Sequence, residues 1–100
     1  MNITIDFQEG FKDDEITVFE NKKKVFQTDS KVSTRMQIGL AKSVQLETKH
    51  KKANIKVEIP SRNISETKEV ELSDDLRIGV SVTEDNKLEW KFSSEPFMYM

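Results

Sequence analysis

The amino-acid sequence predicts an all-β protein, and three observations carry that prediction. Apolar residues recur at every second position through most of the chain, as strands with one buried face require. Turn-forming residues interrupt the alternation about every 10 residues, the spacing of a sandwich or small barrel. No stretch carries a convincing helical period.

Taken in order, Ile3, Ile5 and Phe7 alternate with Thr4 and Asp6 and make a first half-buried strand. Beyond Gly10 and Asp13-Asp14, the segment Glu15 to Phe19 makes a second. Glu20-Asn21-Lys22-Lys23 is a hairpin turn, because Asn21 tolerates a positive φ, and it leads into Lys24 to Gln27. Residues 28–38 are less regular: Val32-Ser33-Thr34 reads as a short edge strand, and Met36 to Leu40 as a further strand or a helical turn. Gly39-Leu40-Ala41 breaks the alternation and marks a bulge or a change of sheet. Val44 to Glu47 alternates again, and Lys49-His50-Lys51-Lys52 is a polar turn. The clearest strand is Ala53 to Ile59, with Ala53, Ile55, Val57 and Ile59 inward and Pro60 closing it. Lys68 to Leu72 places Val70 and Leu72 on one face, and Leu76, Ile78, Val80 and Val82 alternate strictly. Glu84-Asp85-Asn86-Lys87 then turns into Leu88-Glu89-Trp90-Lys91-Phe92, with Trp90 in the core and its indole N–H in need of an acceptor. These segments make seven or eight strands, and their alternation of wet and dry faces favours mostly antiparallel pairing. The nearest architecture is an immunoglobulin-like or transthyretin-like β-sandwich, without the cysteines that flank the core tryptophan of a true immunoglobulin domain.

Composition narrows the function classes. One hundred residues, 35% of them hydrophobic, suit a single domain over residues 1–100. The lack of cysteine excludes a disulfide framework, a thiolate nucleophile and Cys-ligated metal, and one histidine excludes a multi-histidine centre. No run approaches the roughly 20 apolar residues of a membrane helix, and the mean hydropathy is −0.64. Met1 is followed at once by the first alternating segment rather than by a basic and then apolar leader, so a cytoplasmic protein, or a domain excised from something longer, is expected. The net charge of −2 hides a segregated distribution, with −5 over residues 1–20, +7 over 21–60 and −4 over 61–100.

Each candidate site has a plainer reading beside it. Asp13-Asp14-Glu15, Asp74-Asp75 and Glu84-Asp85 fall in loops, where converging carboxylates can hold calcium or a sugar; no Asp-x-Asp-x-Asp-Gly ladder is present, and acidic residues are ordinary turn formers. Lys22-Lys23-Lys24 and Lys49-His50-Lys51-Lys52 are basic, but they lie in turns and lack interleaved aromatic platforms, so no nucleic-acid partner is expected. His50 sits among three lysines with no sign of a pocket, and Gly10, Gly39 and Gly79 are too scattered for a phosphate loop. No catalytic residue, metal or cofactor is expected. Arg62, after Pro60, suits a carboxylate clamp or an internal salt bridge to Glu66 or Asp75. The most distinctive feature is the apolar end Phe97-Met98-Tyr99-Met100, preceded by Pro96. It either folds back to close the core or stays exposed and docks on a partner, as contiguous apolar patches do.

Gly39-Leu40-Ala41-Lys42-Ser43, Val57 to Arg62, Ile78-Gly79-Val80-Ser81 and Glu95-Pro96-Phe97-Met98-Tyr99 together resemble a group of small single-domain prokaryotic β proteins of unassigned activity. The hairpin Thr17 to Lys23 is similar to the opening strands of transthyretin-like and carboxypeptidase-regulatory-like modules, without the usual glycine of that turn. Neither resemblance supplies a site. The expected function is therefore a non-catalytic interaction module. It would act as a monomer or weak homodimer, without a membrane, and bind a protein through an edge strand or through Phe97, Met98, Tyr99 and Met100. The alternative is a carbohydrate- or calcium-binding sandwich that uses the acidic loops.

Overall fold

The computed structural model of the chain describes residues 1–97. Its strands are β1 (Asn2–Phe7), β2 (Thr17–Glu20), β3 (Lys23–Gln27), β4 (Lys42–Glu47), β5 (Lys52–Ile59), β6 (Ile64–Glu71), β7 (Arg77–Val82) and β8 (Leu88–Ser93), with one 3-10 turn at Pro60–Arg62. They form two four-stranded sheets, ordered β4-β1-β7-β8 and β3-β2-β5-β6. The architecture is thus all-β and sandwich-like. All pairings are antiparallel except β1 with β7, which are parallel, Thr4 lying opposite Arg77 and Phe7 opposite Val80.

Local chemistry accounts for the turns. Asn21 and Lys22, at φ 49° and 72°, both adopt the left-handed conformation of a two-residue turn whose twist matches the strands it joins. Pro60 has no amide to continue the ladder, so β5 ends at Ile59, and Asn63 at φ 58° turns the chain back into β6. Gly10, at φ +88°, packs so closely on the end of β7 that an added Cβ would collide with the Val82 carbonyl oxygen.

Inward residues from both sheets form one core. Ile3, Ile5 and Phe7 of β1 and Ile78 and Val80 of β7 are fully buried, as are Val18 of β2 and Ile55, Val57 and Ile59 of β5. Each such side chain contributes about 1.5–3 kcal/mol through its removal from water. Phe11 packs edge-on against Phe7, with ring centroids 5.8 Å apart.

Two local expectations change, and Met36 to Leu40 takes the helical-turn alternative. Val32-Ser33-Thr34 forms no strand; Val32 makes a single bridge, exchanging both backbone hydrogen bonds with Asp14 at 2.9 and 2.8 Å. Met36 to Leu40 is a hydrogen-bonded turn between Arg35 and Leu40, with Gly39 at φ +70°. It lies where the chain leaves the sheet of β3 for that of β4, so the glycine marks a change of sheet rather than a bulge. Finally, β6 begins at Ile64 instead of Lys68.

Candidate interaction surface

A four-stranded sheet has two edges, and each exposes backbone groups to pairing with another chain. Edge strand β3 is short, rich in lysine and set in an irregular register with β2 between Val18 and Phe19. Edge strand β6 carries Glu66, Lys68, Glu69 and Glu71 within eight residues. On β4, Val44 and Leu46 are buried and the alternate residues are polar. By contrast, β8 presents Phe92 at 45% exposure and a half-buried Trp90.

The backbone of β8 is organised by its neighbour. Leu76, Val80 and Val82 direct their backbone groups towards the β1 side, in the bonds Thr4 N–H to Leu76 O, Gln8 N–H to Val80 O and Val82 N–H to Glu9 O. The alternate residues Arg77, Gly79 and Ser81 are left to bond β8, through their partners Ser93, Lys91 and Glu89. It follows that Leu88, Trp90 and Phe92 turn their amides and carbonyls away from the sheet. The Leu88 N–H is already held by the Glu66 carboxylate at 2.7 Å, and the Trp90 indole N–H points to the other oxygen of that carboxylate at 3.4 Å. Among the described residues, Trp90 and Phe92 remain as the bare stretch of this edge. On the outward face between them, Lys91 Nζ lies 3.6 Å from the Glu89 carboxylate.

After β8 the chain turns onto the outward face of its own sheet. Ser94 and Pro96 line a hollow with Thr4, Gln45 and Arg77, and half-buried Phe97 lines another with Gln8, Ile38 and Lys91. Met98, Tyr99 and Met100, named with Phe97 as partner-binding candidates, lie outside the described residues.

Elsewhere the fold separates some sequence-level candidates and joins others. Asp74 lies 3.9 Å from the Met1 amino group, whereas Asp13 and Asp14 lie beyond the far end of β1. Asp14 is only 2% exposed and accepts hydrogen bonds from Arg62 Nε, Ser61 Oγ and the Lys12 amide. Arg62 also donates to the Gly10 carbonyl at 2.9 Å, so the partner it clamps is Asp14 rather than Glu66 or Asp75. Burial alone would push the Asp14 carboxyl up; the Arg62, Lys12 and Ser61 donors outweigh it and hold the carboxyl below its ordinary value. Among the described residues, no three His, Cys, Asp or Glu side chains are grouped to hold a metal ion.

The two lysine turns come to one end of the molecule, where Lys23, Lys49 and His50 line a common hollow. His50, more than half exposed, binds the buried Glu20 carboxylate through Nδ1 at 2.7 Å, and Thr48 donates to the same oxygen at 2.8 Å. At the other end, an open hollow of about 740 Å³ runs past Gly10, Phe11 and Arg62 to Met36, which is 95% exposed at the tip of its turn. No described helix is long and apolar enough to cross a membrane.

Sequence reading recognised the Leu88–Phe92 strand but gave it no functional role. The local signal was present in the aromatic pair flanking Lys91. The edge position was not, because it depends on β7 lying between β1 and β8. No family model, curated protein sequence or solved structure matches the chain.

Proposed function

We propose that this protein is a non-catalytic cytoplasmic binding module, built as an immunoglobulin-like or transthyretin-like sandwich, that takes a protein partner by strand addition along β8. The observation that carries the reading is the outward-facing backbone of Trp90 and Phe92 beside an exposed phenylalanine. Main-chain hydrogen bonds would supply affinity, and the Trp90 and Phe92 side chains would choose the partner. The end segment Phe97–Met100 begins four residues after this strand and would add apolar contact.

Phe92→Pro tests the reading. Its amide faces away from β7, so proline there removes an edge donor while sparing the internal ladder. The immobilised variant should fail to retain proteins that the native chain holds, while keeping the same circular dichroism spectrum. Equal retention by both forms would rule out β8 as the binding edge. The alternative reading, a calcium or carbohydrate site in one of the acidic loops, instead requires amide shifts near Asp13 and Asp14 or near Asp74 and Asp75 on addition of those ligands.

A further inference from the structure

We infer that the partner taken by β8 is a second copy of the same chain, joined edge to edge about a two-fold axis at Trp90. This rests on the reading of β8 as a binding edge and names its occupant.

The sequence of the strand is self-complementary in the antiparallel sense. Placing Trp90 opposite Trp90 of the second copy sets Glu89 against its Lys91, Lys91 against its Glu89, and Leu88 against its Phe92. The backbone phase agrees. A two-fold axis through a hydrogen-bonded pair needs a residue whose N–H and C=O both face the edge, and Trp90 is such a residue. Its neighbours Glu89 and Lys91 then fall in the non-hydrogen-bonded pairs, where side chains approach most closely, so each carboxylate meets the ammonium opposite. In the two adjacent registers of the same backbone phase Lys91 would instead face a lysine of the other copy, Lys91 or Lys87. The same lysine that guards the edge against indiscriminate pairing thus selects this register.

Glu66 sets one condition on the arrangement. The two central bonds, Trp90 with Trp90 in both directions, do not use the Leu88 amide; the outer Leu88–Phe92 pairs close once the Glu66 carboxylate, 2.7 Å from the Leu88 nitrogen, swings aside for the Phe92 carbonyl of the other copy. Phe92, exposed in the single chain, gains the Leu88 side of its partner, and two four-stranded sheets become one continuous sheet. A contact one strand wide belongs with weak, reversible pairs.

Sedimentation equilibrium of the full chain between about 10 µM and about 1 mM tests the inference. A reversible dimer is expected, with amide exchange at Trp90 and Phe92 slowing as protein concentration rises. Glu89→Lys, which sets lysine against lysine twice, should weaken the dimer at least about tenfold. Glu89→Lys with Lys91→Glu should bring it back to within about threefold, because the opposed charges are restored. A chain that stays monomeric with freely exchanging Trp90 and Phe92 amides overturns the second-copy inference and leaves the edge open to another protein. Slow exchange at those amides in a monomer overturns both readings. A dimer insensitive to Glu89→Lys places the contact elsewhere and overturns the inference.

Discussion

Asp14 shows how much of the far end of the sandwich hangs on one carboxylate. It binds the 3-10 turn through Ser61 and Arg62 and its own loop through the Lys12 amide, while Arg62 reaches on to Gly10 and to the Asn86 side chain. Arg62→Ala leaves a buried carboxylate without its counter-charge and should cost about 3 kcal/mol, read from urea unfolding at neutral pH. The same group sets an acid limit. Its folded carboxyl titrates below the ordinary value near 3.8, so the unfolded chain takes up its proton first as pH falls. Its stabilisation is therefore complete above that ordinary value and is lost as pH drops through the lower folded one. Asp14→Asn should be less stable at neutral pH and flatter across this acid window. Equal slopes for the two proteins would show that Asp14 is not the responsible group.

Among the elements, the β6–β8 pair is the informative one, because edge strands of different sheets meet through Glu66. Glu66→Ala should cost about 1–2 kcal/mol by leaving the Leu88 amide and the Trp90 indole without their acceptor. It should also shift Trp90 emission; an unchanged spectrum would separate the indole from that carboxylate. This contact also explains why the start of β6 was hidden from sequence reading. Ser65, Glu66 and Thr67 are polar in succession, and the half-buried Glu66 owes its place to a strand 22 residues further on. Strand β5 was legible for the opposite reason, since its alternation is written in Ala53, Ile55, Val57 and Ile59 and stopped by Pro60. Val32 misled because its side chain packs against the core from a segment that makes a single backbone bridge rather than a ladder. Of the lysine runs, Lys22 and Lys49 to Lys51 lie between strands as read, whereas Lys23 and Lys24 open β3 and Lys52 opens β5; nothing local to either run says that they share one end of the molecule. The edge at Trp90 was unreadable for the same reason: it is a property of strand order.

At the scale of the whole molecule, the two sheets differ in how far apart their members lie along the chain. The sheet of β2, β3, β5 and β6 contains two hairpins, whereas β1 bonds β7 with Thr4 opposite Arg77, a separation of 73 residues. Non-local pairing slows folding, because the loop must close before the contact stabilises anything, so refolding in milliseconds to seconds is expected. Ile55→Ala should slow refolding more than Ile5→Ala, with the latter acting mainly on the unfolding rate; stopped-flow chevrons of the two variants decide it. A ratio in the opposite sense would place β1 in the nucleus. The parallel pair also matters while the protein is being made. Ribosomes add roughly 5–20 residues each second, so the nascent β1 waits on the order of 4–15 s for the strand that will flank it. During that interval its Ile3, Ile5 and Phe7 have no finished core to enter. The charge of Asp6, buried and hydrogen-bonded to Ser43 in the completed sheet, then guards an otherwise sticky segment against pairing with other newborn chains.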